Sequence, residues 1–153
     1  MGKSLDILKK HLDKNDIKND IEILSNGKCI LHVEGKGEFI RYEICVEEPI
    51  IGGRQVRLYT PLTRVYKGTK QNVCKIINSY NQKYNYLKFI YQESEQGNYV
   101  IAAYSIPALD SGLTYYFDTI FEKFVYILDD IGSLTPMMIF NEEIISSYHE
   151  NND

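Results

Sequence analysis

Several features that are common in proteins are scarce or missing in this sequence of 153 residues. It has no tryptophan, four prolines and three cysteines. No apolar run approaches the roughly 20 residues that a helix needs to cross a membrane, and the first residues lack the apolar core of a secretion signal. The odd number of cysteines without a C-x-x-C motif favours reduced thiols over a disulfide framework. These absences predict a cytoplasmic protein with no membrane partner.

Motifs that carry catalytic or cofactor chemistry are also missing. His11, His32 and His149 lie far apart in the sequence, and none belongs to a zinc-binding pattern. The Gly-Lys-Gly sequence at 35–37 is followed by a strand pattern, so it predicts a turn and not a nucleotide-binding loop. No nucleophile motif such as G-x-S-x-G is present. We therefore predict a protein that is not an enzyme and that binds no cofactor and no metal.

Acidic residues are missing from the middle of the chain. Residues 49–92 contain eight bases and no acid, whereas residues 93–153 contain eleven acids and one base, so the net charge of −4 hides a strong asymmetry. We expect these charges to compensate one another within the fold or across a dimer. Tyrosines interleave with the bases between residues 54 and 88, which leaves single-stranded nucleic-acid binding as an alternative function. The bases assigned to that alternative are Arg54, Arg57, Lys67 and Lys70.

Hydrophobic periodicity predicts an α+β protein with elements in the order α-β-β-β-(β)-α-β-β-α. Apolar stripes at helical spacing predict helices over 4–14, 69–84 and 114–129, with Gly132 ending the last. Alternating apolar residues predict the strands, and Asn26-Gly27 predicts a hairpin. A fourth strand near 56–60 is predicted at a sheet edge, ending at Pro61. Consecutive strands with short turns predict one antiparallel sheet of about five to six strands flanked by helices.

One half of the sequence carries the pattern of a known family. VCKIINSYN at 73–81 predicts a helix ending in Asn-x-x-Asn, YLKF at 86–89 and NYVIAAY at 98–104 follow as strands, and residues 109–128 close with a helix. This pattern resembles the second half of a YbjN-type domain, a bacterial family also described as sensory-transduction-regulator-like. The first half agrees in layout, so the resemblance spans about residues 4–130. It implies a fold like the type III secretion chaperones, which are small, commonly dimeric proteins that hold other proteins.

The resemblance and the charge pattern together define the expected organisation and function. We expect a YbjN-like α+β domain over residues 1–130 and a C-terminal extension over 131–153 with a short amphipathic helix and an acidic end. The expected function is non-enzymatic binding of a protein partner or of a second copy, with a toxin-neutralising or inhibitory role as another alternative. The predicted contact residues are Leu58, Tyr59, Tyr66, Tyr80, Tyr84, Phe140 and Ile144.

Overall fold

The described residues form one antiparallel sheet and three helices, which correspond to the sheet and the first three helices that the periodicity predicts. The computed structural model describes residues 2–37, 41–48, 55–65, 68–95, 97–108, 111–134 and His149. The elements are α1 (Lys3–Lys14), β1 (Asn19–Ile23), β2 (Cys29–Lys36), β3 (Arg41–Glu47), β4 (Gln55–Val65), α2 (Lys70–Lys83), β5 (Lys88–Gln92), β6 (Asn98–Pro107) and α3 (Leu113–Leu134). The strands lie in the order β1-β2-β3-β4-β6-β5, and each pairs with its neighbour antiparallel. The α+β class and the predicted element order are therefore confirmed.

All three helices pack on one face of the sheet, which we call the first face. Each helix turns an apolar stripe toward the strands, as its periodicity predicts. Each fully buried apolar side chain contributes about 1.5–3 kcal/mol relative to an exposed one. The core of the first face includes Leu8, Leu12, Val33, Ile44, Leu58, Val73, Ile77, Val100, Phe117 and Phe124. None of the helices within the described ranges is long and apolar enough to cross a membrane.

The opposite face of the sheet, which we call the second face, has a smaller buried cluster. Successive side chains of a strand point to opposite faces, so Leu58 faces the helices and Tyr59 faces away from them. Among the described residues, no side chain of α1, α2 or α3 belongs to the second cluster. Its buried members are Leu24, Ile30, Cys45, Tyr59, Tyr99, Ile101 and Ala103.

The fourth strand differs from its prediction in both length and position. The sequence predicts an edge strand that ends at Pro61, but β4 continues to Val65 and lies between β3 and β6. Its pairing with β6 shifts register between Pro61 and Thr63. Such an irregularity accommodates a residue without an N–H group inside a sheet. The edges of the sheet are β1 and β5.

Two glycines that were predicted as breaks lie inside regular elements. Strand β2 continues through Gly35, where an added Cβ would stand 2.6 Å from Val125 Cγ2 of α3. Glycine at this position therefore permits the close approach of helix and sheet. Helix α3 continues past Gly132 to Leu134, so the predicted boundary at residue 130 falls inside this helix. The predicted C-terminal helix lies outside the described residues.

Candidate functional site

The residues predicted to contact a partner do not share one exposed surface within the described part of the chain. Leu58 and Tyr59 are 0% and 2% exposed and lie on opposite faces of the sheet. Tyr80 and Tyr84 pack against Phe89 on the first face, with ring centroids 5.4 and 6.3 Å away. The other three predicted contacts, Tyr66, Phe140 and Ile144, lie outside the described residues.

Tyr84 also borders a shallow cavity of about 630 Å³ at the β5 edge of the sheet. The described lining residues include neither a carboxylate nor an imidazole. Its lining consists of Arg57, Asn81, Tyr84, Asn85, Leu87, Lys88, Ile90, Ala103, Tyr104 and Ser105.

Several bases of the basic middle segment form ion pairs with acids from other parts of the chain. The pairs are Lys83–Asp130 (N–O distance 3.5 Å), Arg57–Glu47 (3.4 Å) and Lys70–Glu93. The Arg57 guanidinium also lies 5.0 Å from the centre of the Tyr59 ring. The expected charge compensation within the fold is thus present at these three bases. Two further bases assigned to nucleic-acid binding, Arg54 and Lys67, lie outside the described residues.

The outer side of α3 carries exposed tyrosines. Tyr115 and Tyr126 are 70% and 72% exposed, whereas Phe117 and Phe124 of the same helix are fully buried. The spacing of Tyr115 and Tyr126 corresponds to about three helical turns, so the two rings project from the same side of the helix. Tyr116, which is 46% exposed, packs edge to face against Tyr115.

Acidic side chains lie between these tyrosines. Asp118 and Glu122 are exposed on the same side of α3, one and two turns from Tyr115. The Asp118 carboxylate contacts His11 Nε2 of α1 at 2.8 Å. We call the surface formed by Tyr115, Asp118, Glu122 and Tyr126 the tyrosine face. The sequence contains a signal for this surface, because Tyr115 and Tyr126 recur at helical spacing on the side opposite the buried phenylalanines. Our prediction nevertheless placed the partner contacts at other residues.

A polar cluster on the second face is centred on His32 of β2. The strand registers place His32 opposite Cys45 of β3 and diagonal to Glu22 of β1 and Glu43 of β3. Diagonal neighbours across a sheet are within reach of long side chains. His32 Nε2 lies 2.6 Å from Glu22 Oε2, and His32 Nδ1 lies 2.7 Å from Glu43 Oε1. The Cys45 sulfur lies 3.8 Å from His32 Nδ1.

His149 completes this cluster from the C-terminal part of the chain. It is 5% exposed, and its ring lies edge to face against His32 with centroids 5.7 Å apart. His149 Nε2 is hydrogen-bonded to the Tyr59 hydroxyl at 2.8 Å, and His149 Nδ1 lies 3.6 Å from Glu22 Oε2. One ligand atom each from Glu22, His32 and His149 lies within 4.8 Å of the other two.

The cluster changes the proton affinities of its members. Burial lowers the pKa of His32, but hydrogen bonds with the Glu43 and Glu22 carboxylates raise it, and the net pKa is raised. The hydrogen bond from His32 holds the pKa of Glu43 below its ordinary value. Burial raises the pKa of the Cys45 thiol well above its ordinary value, so this sulfur stays protonated at neutral pH.

Comparison with known proteins supports the fold that the sequence suggests. No family model matches the chain, and no curated protein matches its sequence. The structure is similar to the crystal structure of YbjN from E. coli, which is described as a candidate transcription regulator. The TM-score is 0.63 at 9% sequence identity, and the match covers 90% of this chain and 96% of YbjN. The chain therefore has a YbjN-like fold.

Proposed function

We propose that the protein is a non-enzymatic interaction module that binds a protein partner through the tyrosine face of α3. The observation that carries this proposal is the exposure of Tyr115 and Tyr126, at 70% and 72%, on a helix whose other side is buried. Tyrosine is enriched at protein interfaces because its ring buries apolar area while its hydroxyl keeps a hydrogen bond. The two rings lie roughly 16 Å apart along the helix and would anchor a partner at two points.

The charge of the tyrosine face indicates a basic partner. The exposed carboxylates of Asp118 and Glu122 lie between the two anchoring rings. They would attract lysine or arginine side chains and orient the encounter. The partner that we propose is therefore a segment that combines apolar side chains with basic ones. Attraction of basic side chains also suits the toxin-neutralising alternative, which is based on the acidic C-terminal end of the sequence blocking a basic partner.

A second copy of this chain fits the tyrosine face less well. A symmetric dimer buries the same patch on both subunits. Two tyrosine faces would then bring the carboxylates of Glu122 and Asp118 close to their counterparts, and like charges oppose such a contact. If the protein is a dimer, we therefore expect the dimer contact to lie elsewhere.

The nucleic-acid alternative is weakened by the ion pairs of the basic segment. Binding to phosphates draws its free energy from cations that replace the counterions of the nucleic acid. Arg57, Lys70 and Lys83 already contact carboxylates of this chain. The exposed Lys75 and Lys88 lie on different elements, α2 and β5.

A capture experiment from the native host tests the proposed function. The double variant Tyr115→Ser/Tyr126→Ser removes both anchoring rings and leaves the buried side of α3 unchanged. Truncation of an anchoring tyrosine commonly weakens an interface by more than 1 kcal/mol, so we expect at least a tenfold loss of affinity for the captured partner, measured by calorimetry with purified proteins. The matched control is Tyr86→Ser, which removes an exposed tyrosine outside the tyrosine face.

The charge of the partner is tested separately. The substitution Glu122→Lys leaves both rings in place and reverses one exposed charge. We expect weaker binding and a smaller dependence of affinity on salt. Equal affinity of the double-serine variant and the unchanged protein for the same partner would contradict the proposal. Light scattering of both proteins tests whether any self-association also depends on the tyrosine face.

A further inference from the structure

We propose that Glu22, His32 and His149 form a binding site for one divalent transition-metal ion, of the class of Zn²⁺ or Co²⁺. Two imidazoles and one carboxylate are a ligand set that such ions accept. Ligand atoms around a tetrahedral ion at about 2.0–2.1 Å lie roughly 3.4 Å apart. The three ligand atoms here lie within 4.8 Å of one another, so small side-chain rotations bring them to that spacing.

The two imidazoles have the supporting partners that a metal site needs. His32 directs Nε2 toward Glu22 and is held at Nδ1 by Glu43, at 2.7 Å. His149 directs Nδ1 toward the same Glu22 carboxylate and is held at Nε2 by the Tyr59 hydroxyl, at 2.8 Å. Metal-binding histidines almost always hydrogen-bond through the nitrogen that does not bind the ion. Both rings show this arrangement around one shared carboxylate.

The exposure of the cluster fits an ion with three protein ligands and one open position. The side chains of His32 and His149 are 13% and 6% exposed, whereas Glu22 is 45% exposed. The fourth coordination position of the ion would therefore be open to solvent on the side where Glu22 lies. The Cys45 sulfur lies near Nδ1 of His32, on the side away from Glu22, and is not in the proposed ligand set. Nitrogen and oxygen donors of this kind favour zinc, cobalt, nickel or copper over calcium and magnesium.

An ion at this site would connect parts of the chain that are distant in sequence. His149 already reaches across to Tyr59, at a separation of 90 residues. Coordination would add bonds from residue 149 to β1 and β2. We therefore expect the ion to stabilise the contact between the C-terminal part of the chain and the second face of the sheet.

The experiment is a titration of the full chain, treated first with a chelator, with Co²⁺ and then with Zn²⁺. We expect one ion per chain by calorimetry and visible Co²⁺ bands of a four- or five-coordinate site. His32→Ala and His149→Ala should each lower the affinity at least tenfold, and Tyr59→Phe should lower it by about 10–100-fold. The matched control is His11→Ala, which removes a histidine that contacts Asp118 outside the cluster and should leave the affinity unchanged.

The Co²⁺ spectrum and the variants also distinguish metal binding at this site from metal binding by the cysteine thiols of the chain. Thiolate charge-transfer bands in the near ultraviolet would assign the ion to cysteine and overturn the proposal. Failure to bind Co²⁺ or Zn²⁺ at millimolar concentration would overturn it too, as would unchanged affinity in both His32→Ala and His149→Ala. Circular dichroism checks the folding of each variant. Glu22→Gln keeps the shape of the side chain, so its expected tenfold loss of affinity can be read even if an alanine variant unfolds.

Discussion

The two faces of the sheet are buried in different ways. On the first face, three helices supply aliphatic and aromatic side chains such as Phe117 and Phe124, which have no exposed surface. On the second face, apolar side chains such as Ile30 belong to one buried cluster with Tyr59, whose hydroxyl is hydrogen-bonded to His149. Apolar packing is non-directional, whereas hydrogen-bonded groups act through fixed pairs of atoms. The first face is therefore a non-directional apolar core, whereas the second face combines apolar packing with hydrogen bonds between specific atoms.

Truncation of a large side chain on the first face should have the largest effect on stability. Phe124→Ala leaves a cavity between α3 and the sheet, and we expect the free energy of unfolding to fall by about 3–5 kcal/mol. Tyr126→Ala is the matched control, because the tyrosine lies on the same helix but is 72% exposed. We expect it to stay within about 0.5 kcal/mol of the unchanged protein. Urea denaturation measures both, and equal losses would remove the distinction between the two sides of α3.

The close contact between β2 and α3 should give the next largest effect. Gly35→Ala places a methyl group 2.6 Å from Val125 Cγ2, and we expect a loss of about 1–3 kcal/mol from overpacking. Val125→Ala in the same chain makes room for that methyl group. The double variant should then lose less than the sum of the two single variants, because the two changes share one contact. Additive losses would show that Gly35 is required for another reason.

The reactivity of the three cysteine thiols should distinguish the second face, where Cys45 lies, from other parts of the protein. Cys45 is buried and its pKa is raised, whereas Cys29 and Cys74 are partly exposed. The thiolate is the reactive form, so we expect Cys45 to react with a thiol reagent at least tenfold more slowly than the other two. That ratio corresponds to about 1.4 kcal/mol in activation free energy. Mass spectrometry of the alkylated native protein measures the rates, and a Cys45 rate equal to that of Cys74 would contradict the expectation.

A hydrogen bond at the end of α2 should give the smallest effect. The Tyr84 hydroxyl donates to Asp130 of α3, and burial and this bond raise the pKa of Tyr84. The stabilisation is therefore fully present below the unfolded pKa of about 10 and is lost as pH rises through the higher folded value. Tyr84→Phe should reduce stability by about 1 kcal/mol at neutral pH and flatten the profile above pH 10. Parallel profiles of stability against pH for Tyr84→Phe and for the unchanged protein would contradict this role of the Tyr84 hydroxyl.

The order of the elements could be predicted because its signals are local. The Asn26-Gly27 pair marks the turn between β1 and β2, and Gly27 has the positive φ of 83° that such a turn requires. Val73 and Ile77 lie one turn apart and both face the sheet. Each of these signals depends on residues that are close in the sequence, so no knowledge of the tertiary structure is needed.

The interactions that could not be predicted join residues that are far apart. The backbone N–H of Leu5 in the first turn of α1 donates to Glu48 Oε1 at 2.9 Å, across a separation of 43 residues. Sequence alone shows that this N–H needs a partner but not which residue supplies it. The cluster around His32 was missed for the same reason, since its members meet only through the strand register and the position of His149. The prediction that no metal is bound rests on the separation of the histidines in the sequence and on the absence of a zinc-binding pattern.

The contact between Tyr59 and His149 has a consequence for how the chain folds. The β1–β2 and β5–β6 hairpins close short loops, whereas this hydrogen bond closes one of 90 residues. Long loops carry a larger entropic penalty, so contacts of this kind form late. During synthesis, β1 to β6 emerge from the ribosome before residue 149 does. We therefore expect the Tyr59 hydroxyl to be accessible on the nascent chain and to become protected only when His149 docks.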